Sequence, residues 1–242
     1  MSTISDRRTM EADLSGRQLP LDLPLPEAMG RRDFFVSPAN ATAVAMVDSW
    51  RDWPEGKLAV IAPPGAGKTH LASIWAAEAG AVILHPADLV ETSPFALAAW
   101  GRIVIEDAER IAGQREGETA LLHLYNVLGG NGGRLLLTAS DEPARWPLLL
   151  PDLASRLATL PVARLSRPDD ELLTAVLTKQ FADRQIAVQP QVVDWLVTRM
   201  DRSLAFARRL VAALDRAALA EGRAVTRPLA QVVLASLTPA DA

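Results

Sequence analysis

The sequence predicts an α/β domain built on a five-stranded parallel sheet, followed by a small α-helical domain. Three observations predict it. Leu58-Ala59-Val60-Ile61 is a continuous apolar run closed by a Gly/Pro turn, the pattern of a strand covered on both faces. Similar runs recur at 81–84, 102–105, 134–138 and 158–163 with helix-forming stretches between them, which is how parallel strands with crossover helices read. From residue 166 only helical periodicity continues. The boundaries that follow are an extended tail over 1–33, an α/β domain over 34–165 and a helical domain over 166–242.

The tail begins polar and becomes punctuated by proline. Pro20, Pro24 and Pro26 forbid a helix around Gln18-Leu19-Pro20-Leu21-Asp22-Leu23, so alternate leucines are held out on an extended chain. An apolar peptide led by an amide suits a partner's groove, and packing on its own domain is an equally open reading. Asp33-Phe34-Phe35-Val36 then leads through Ser37-Pro38 into an amphipathic helix ending near Trp50. Phe35 and Val36, just ahead of the first strand, could cover an adenine; plain core packing is the alternative for the two phenylalanines.

The turn after the first strand carries the chemistry. Ala62-Pro63-Pro64-Gly65-Ala66-Gly67-Lys68-Thr69 precedes a helix-forming stretch from Leu71 to Glu78. Strand, Gly-rich loop, Lys-Thr and helix form the order of a phosphate-binding P-loop. Gly65 and Gly67 let backbone N–H groups turn toward phosphate oxygens, and the helix N-terminus adds its positive dipole end. Lys68 is expected at the β- and γ-phosphates and the Thr69 hydroxyl on Mg²⁺, with Pro64, Ala66 and His70 completing the nucleotide-contacting stretch. The strict GxxxxGK[ST] pattern has Gly where this chain has Ala62. If that position needs positive φ, alanine costs about 1 kcal/mol.

A second strand at 81–84 is followed by a short connection over 86–100, with one helical turn expected around Pro94–Trp100. The third strand, 102–105, ends in Glu106-Asp107, 38 residues after Lys68. An apolar strand ending in paired acids is the Walker B pattern: one carboxylate orients Mg²⁺ and its water, the other polarises the attacking water. The expected assignment is Glu106 to the metal and Asp107 to catalysis. The metal-side position usually holds Asp, and Glu106 is longer by one C–C bond, about 1.5 Å. A helix over 117–128, a Gly-Asn-Gly-Gly turn and a fourth strand at 134–138 follow, the strand ending in the polar group Thr138-Ala139-Ser140-Asp141. Ligands of open α/β folds bind at that edge. A short helix covers 151–157 and the fifth strand 158–163. Ser166-Arg167-Pro168-Asp169 reads as a capping box opening the first helix of the C-terminal domain, with Leu172, Leu173, Val176 and Leu177 as its buried stripe. Further helices are expected at 190–200, 202–220 and from Thr226 to near Leu237.

Composition bounds the function. The 242 residues are 49% hydrophobic with mean hydropathy +0.11, ample for a core. The net charge is −4 with 25 scattered Lys and Arg, which argues against direct sequence-specific DNA binding through a basic face. There is no cysteine, hence no disulfide or thiolate metal site. No apolar segment approaches a membrane span and the first residues lack a signal-peptide core, so a cytoplasmic protein is expected.

Together these features resemble the AAA+ ATPases, and within them the DnaA-like group of replication initiators and their Hda-type regulators. The residues that carry the resemblance are Gly67-Lys68-Thr69-His70-Leu71, Phe35-Val36 with Pro38 and Asn40, Leu150-Pro151-Asp152-Leu153-Ala154-Ser155-Arg156-Leu157, and Asp201-Arg202. The likeness spans about residues 33–237. It implies an AAA+ P-loop domain with a helical lid, ADP or ATP with Mg²⁺, and Ser140 (or Thr138) as the polar residue sensing nucleotide. It further implies Arg202 as the lid arginine that touches phosphate, and Arg156 as an arginine finger acting on a neighbour's ATP. By the same resemblance, Gln18, Leu19, Leu21 and Leu23 dock into the DNA polymerase III sliding clamp (beta), and DnaA is the partner. The chain stops at Ala242 where initiators continue into a DNA-binding domain. Residues 80–100 leave little room for the extra helices with which initiators engage single strands.

The function so implied is regulation of replication initiation: a nucleotide-bound protein, tethered to the clamp, that stimulates hydrolysis of DnaA-bound ATP and has weak intrinsic ATPase. The rivals are an independent AAA+ ATPase such as a helicase loader and a P-loop binding module without catalysis. Whether ADP or ATP is preferred, and whether the chain assembles with itself, stay open.

Overall fold

The apolar runs become strands because each must bury both faces, and alternate side chains do so against different helices. The computed structural model describes residues 30–237. Five parallel strands, β1 (Lys57–Ile61), β2 (Val82–Leu84), β3 (Arg102–Ile105), β4 (Arg134–Ala139) and β5 (Val162–Arg164), lie in the order β2-β3-β4-β1-β5. The register sets Ala59 opposite Leu137 on one side and Val162 on the other. The clamp-binding peptide expected at residues 18–23 lies outside the described residues.

On one face Leu58, Val60, Val104, Leu136 and Ala163 pack under α1 (Ala41–Asp48) and α2 (Lys68–Ala79). Trp50, Trp53 and Trp75 seal that layer, with Trp53 stacked on Trp75 at 5.1 Å. On the other face Ala59, Ile61, Ile103, Ile105, Leu135 and Leu137 pack under α3 (Pro86–Glu91), α4 (Pro94–Ala98), α5 (Arg115–Gly130) and α6 (Pro151–Ala158). A separate core joins α7 (Asp170–Asp183), α8 (Pro190–Val197), α9 (Leu204–Glu221) and α10 (Arg227–Leu237) around Leu173, Phe181, Leu210 and Leu214.

Several expected elements differ in detail. The connection over 86–100 holds two short helices, α3 and α4, each with a proline in its first turn. The helix expected to reach Trp50 stops at Asp48, and a 3-10 turn carries on through Trp50–Asp52. α6 runs through Ala158, which delays the fifth strand to 162–164. The cap of α7 is Asp169, whose side chain accepts the Leu172 N–H at 2.8 Å, so Ser166 does not begin a capping box.

Candidate nucleotide site and an arginine at the opposite edge

After Ile61 the chain leaves the sheet at its carboxyl edge, and two glycines turn it into α2. Gly65 and Gly67 have φ of +75° and +102°, a region where a Cβ is strained. Gly67 caps α2, so the first N–H groups of a 12-residue helix face the loop's concavity. Ala62 is buried, donates its N–H to the Ala139 carbonyl at 3.1 Å and is not among the residues with positive φ. The conditional penalty for alanine at this position is therefore absent: β1 simply extends one residue beside β4.

The strand tips beside the loop supply the acids. Asp107 sits in the left-handed region at φ 48°, tolerable for Asp. Its N–H donates to the Thr138 hydroxyl at 3.1 Å, and its carboxylate lies 3.5 Å from the Lys68 amine and 3.7 Å from Arg110. Thr138 is fully buried and ties β4 to this turn. Glu106 Oε1 is buried and accepts no hydrogen bond. Thr69, beside Lys68 at the start of α2, is exposed, and its hydroxyl and these carboxylates are oxygen donors of the kind a hard divalent cation such as Mg²⁺ takes. Glu109, which sequence reasoning missed, accepts the Ser140 N–H at 2.8 Å through one oxygen, while the other is buried without a partner. The only signal for it was its place three residues after Glu106.

Residues 33–40 bridge the sheet domain to the helical one. Phe34, rather than Phe35, packs edge-on against the His70 ring at 5.1 Å. Phe35 and Val36 are exposed beside it. Asn40 fixes the segment by donating to the Phe35 carbonyl and accepting the Ser37 N–H, each at 2.9 Å. Asp33 pairs with Lys179 of α7 at 3.0 Å, and the Ala39 N–H donates to the Asp169 carboxylate at 3.2 Å. Burial opposes the charge on Asp169, but bonds from Leu172, Ser37 and Ala39, with Arg202 nearby, hold its pKa below the ordinary value.

The helical domain rests directly on the loop. The Leu204 N–H donates to the Gly65 carbonyl at 2.8 Å, and a Cβ added to Gly65 would lie 2.1 Å from Ser203 Oγ. Arg202, one residue before, spends its guanidinium on the Pro168 carbonyl at 3.1 Å and on Asp170. Thus Pro64 through His70, Glu106, Asp107, Thr138, Ser140, Phe35, Val36 and Arg202 gather at one end of the molecule, around the loop.

Arg156 does not join them. It projects from the last turn of α6, with its guanidinium 5.8 Å from the Tyr125 ring, and lines an open pocket with Lys57, Glu55 and Arg134. Lys57 and Arg134 are the first residues of β1 and β4, whereas the loop follows the last residue of β1. About 16 Å of strand separates the two ends. Arg156 is 40% exposed, and its ion pair is the one with Asp152 one turn earlier, at 3.2 Å.

The α6 helix is held there by Glu118, a second residue sequence reasoning missed. This fully buried carboxylate accepts the N–H groups of Gly113, Leu149 and Leu150 at 2.8–3.0 Å, fixing the approach to α6.

Known proteins share this geometry. Residues 169–234 match the family described as "Hda, lid domain". Domain III of the Thermotoga maritima replication initiation protein DnaA superposes with a TM-score of 0.76 at 20% identity, covering 90% of this chain and 100% of that one. The chain has the AAA+ α/β fold, and its helical domain matches the Hda lid. AMPPCP-bound DnaA from Aquifex aeolicus is similar too, with a TM-score of 0.62 at 15% identity, over 75% of this chain and 64% of that one. The AAA domain of FIGL-1 in complex with ADP gives 0.61 at 16% identity, over 78% and 74%. The chain thus shares its fold with replication initiators, and its helical domain is similar to the lid of Hda. Among the described residues no helix is long and apolar enough to cross a membrane.

Proposed function

We propose that this AAA+ protein regulates initiation of DNA replication by promoting hydrolysis of ATP held by DnaA, with Arg156 as the finger supplied in trans. One observation carries the reading. Arg156 lies at the edge of the sheet opposite its own P-loop, exposed and in a weak surface pair, so it can neither reach its own nucleotide nor act as a buried structural ion. An exposed guanidinium on a short helix fixed from behind by Glu118 is suited to enter a neighbour's site.

In that site the guanidinium stabilises charge spread over the oxygens of the transferred phosphoryl group, an effect of about 10³–10⁵ in rate in other NTPases. The chain's own loop holds ADP or ATP, with Lys68 on the phosphates and Phe35 and Val36 beside the base. Mg²⁺ there would be held by Thr69 and Glu106 and would neutralise phosphate charge. The own site has weak hydrolysis, because Glu106 places a longer carboxylate at the metal and Asp107 is engaged by Lys68 and Arg110. The peptide at Gln18, Leu19, Leu21 and Leu23 tethers the protein to the sliding clamp, which raises its effective concentration beside DnaA.

The test is turnover of DnaA-bound ATP with and without this protein and DNA-loaded clamp. Acceleration that requires both is expected. Turnover of ATP by this chain alone at about 1 s⁻¹ or faster, with no effect on DnaA, contradicts the reading.

A further inference from the structure

The pocket beside Arg156 contains a group that its fold does not explain. Lys57 opens β1, and its side chain is only 3% exposed. A buried ammonium is costly unless it is well paired. Here Lys57 donates to the Glu55 backbone carbonyl at 3.0 Å and lies over the Tyr125 ring at 4.1 Å, while the closest carboxylate oxygen, on Glu55, is 3.8 Å away. That carboxylate is itself 74% exposed. Gly129 makes room for the amine, since a Cβ there would come within 3.1 Å of Nζ.

The rest of the pocket points the same way. Tyr125 is buried, with the Lys57 amine 4.1 Å and the Arg156 guanidinium 5.8 Å from its ring. Burial, opposed by Glu55 and aided by Arg156, lowers the Lys57 pKa, so the two charges feel each other. Arg134 on the rim is turned away: it donates to the carbonyls of Trp50, Arg51, Gly132 and Gly133. The anions present, Glu55 and Asp152, are both on exposed side chains that a ligand can displace. Two cations thus share one buried aromatic ring, and the carboxylates near them are on exposed side chains.

We propose that Lys57 and Arg156 together form a phosphate-accepting pocket, whose ligand is the terminal phosphate of a nucleoside triphosphate carried by a second AAA+ subunit. Lys57 is then a second cation of the shared site, and Tyr125 holds the pair in place. The proposal rests on the in-trans reading of Arg156 but adds a residue to it.

The test measures stimulation of DnaA-bound ATP hydrolysis by Lys57→Met and Lys57→Arg beside Arg156→Ala. Lys57→Met keeps an unbranched side chain one atom shorter and removes its charge. We expect it to melt like the parent, to bind its own nucleotide at the opposite edge normally, and to lose about 10²-fold of the stimulated rate. Lys57→Arg should recover most of that loss. If Lys57→Met stimulates like the parent while Arg156→Ala does not, the pocket assignment is wrong and the finger stands. If both stimulate like the parent, the finger reading falls and the pocket with it. A second measurement does not depend on how a Lys57 variant folds. Tyr125 is the sole tyrosine of the chain, so ¹³C-labelled tyrosine reports on the pocket alone. In the Lys68→Ala variant, whose own phosphate site is disabled, millimolar pyrophosphate should move the Tyr125 resonance. An unmoved resonance overturns the proposal.

Discussion

The backbone N–H of Leu204 donates to the carbonyl of Gly65 at 2.8 Å, joining the first turn of α9 to the phosphate loop. The loop and the lid therefore share a boundary with no space for a side chain on Gly65. Whatever alters the loop is felt by the lid, and the converse holds.

Gly65→Ala tests this boundary. The new Cβ would sit 2.1 Å from Ser203 Oγ and would occupy φ near +75°. The backbone cost alone is about 1–2 kcal/mol. We expect a lowered melting temperature and weakened ADP binding by titration. Parental behaviour in both would show that the lid does not rest on the loop.

Glu118 holds the approach to Arg156. Glu118→Ala removes the acceptor for the N–H groups of Gly113, Leu149 and Leu150. Each buried donor left unsatisfied costs about 1–3 kcal/mol. Urea denaturation should show a loss of about 3 kcal/mol or more, and Glu118→Gln, which keeps one carbonyl acceptor, should lose less.

The clefts and strands of this fold were legible in the sequence; the residues that stabilise them were less so. The run 58–61, the Gly65–Thr69 loop and the acids at 106–107 are contiguous, so local pattern reveals them. Glu118 is different. Its partners lie five and more than 30 residues away, and by sequence alone it is an ordinary acid in the first turn of a helix. Glu109 is hidden in the same way, since its partner is the N–H of Ser140, just past the end of β4. Lys57 precedes the apolar run, and its burial follows only when β1, α5 and Gly129 are brought together. Phe34 and Phe35 were indistinguishable as adjacent residues, and only the position of His70 separates them. The Ser166 cap failed because Pro168 and Asp169 offer a better one three residues later.

Tyr125 makes the pocket sensitive to alkali. Burial, then Glu55, push its pKa up from 10.0 to about 12. The folded state therefore keeps the phenol proton that the unfolded state releases. Stability is unaffected by this group below about pH 10 and falls as pH rises from there toward 12. Tyr125→Phe should lack that decline when melting temperature is followed against pH. Lys57 acts with the opposite sign: its lowered pKa means the unfolded chain binds more protons below the ordinary 10.5, so its contribution rises with pH up to that value. The Tyr125→Phe comparison isolates the phenol from this rise.

The tail can be tested without the rest. Replacing Gln18, Leu19 and Leu21 with Ala should abolish clamp binding in a pull-down or surface-binding assay and leave melting unchanged. Undiminished binding would remove the tether from the account.

The finger is the centre of the account, and DnaA-bound ATP turnover with Arg156→Ala tests it most directly. The pair with Asp152 is exposed, so its loss should cost no more than about 1 kcal/mol, and own-nucleotide and clamp binding should be intact. Stimulation should nevertheless fall by about 10³-fold or to background, and Arg156→Lys should not restore it, because an ammonium lacks the planar fork that grips two phosphate oxygens. A folded Arg156→Ala protein that still accelerates DnaA-bound ATP hydrolysis like the parent would contradict the account.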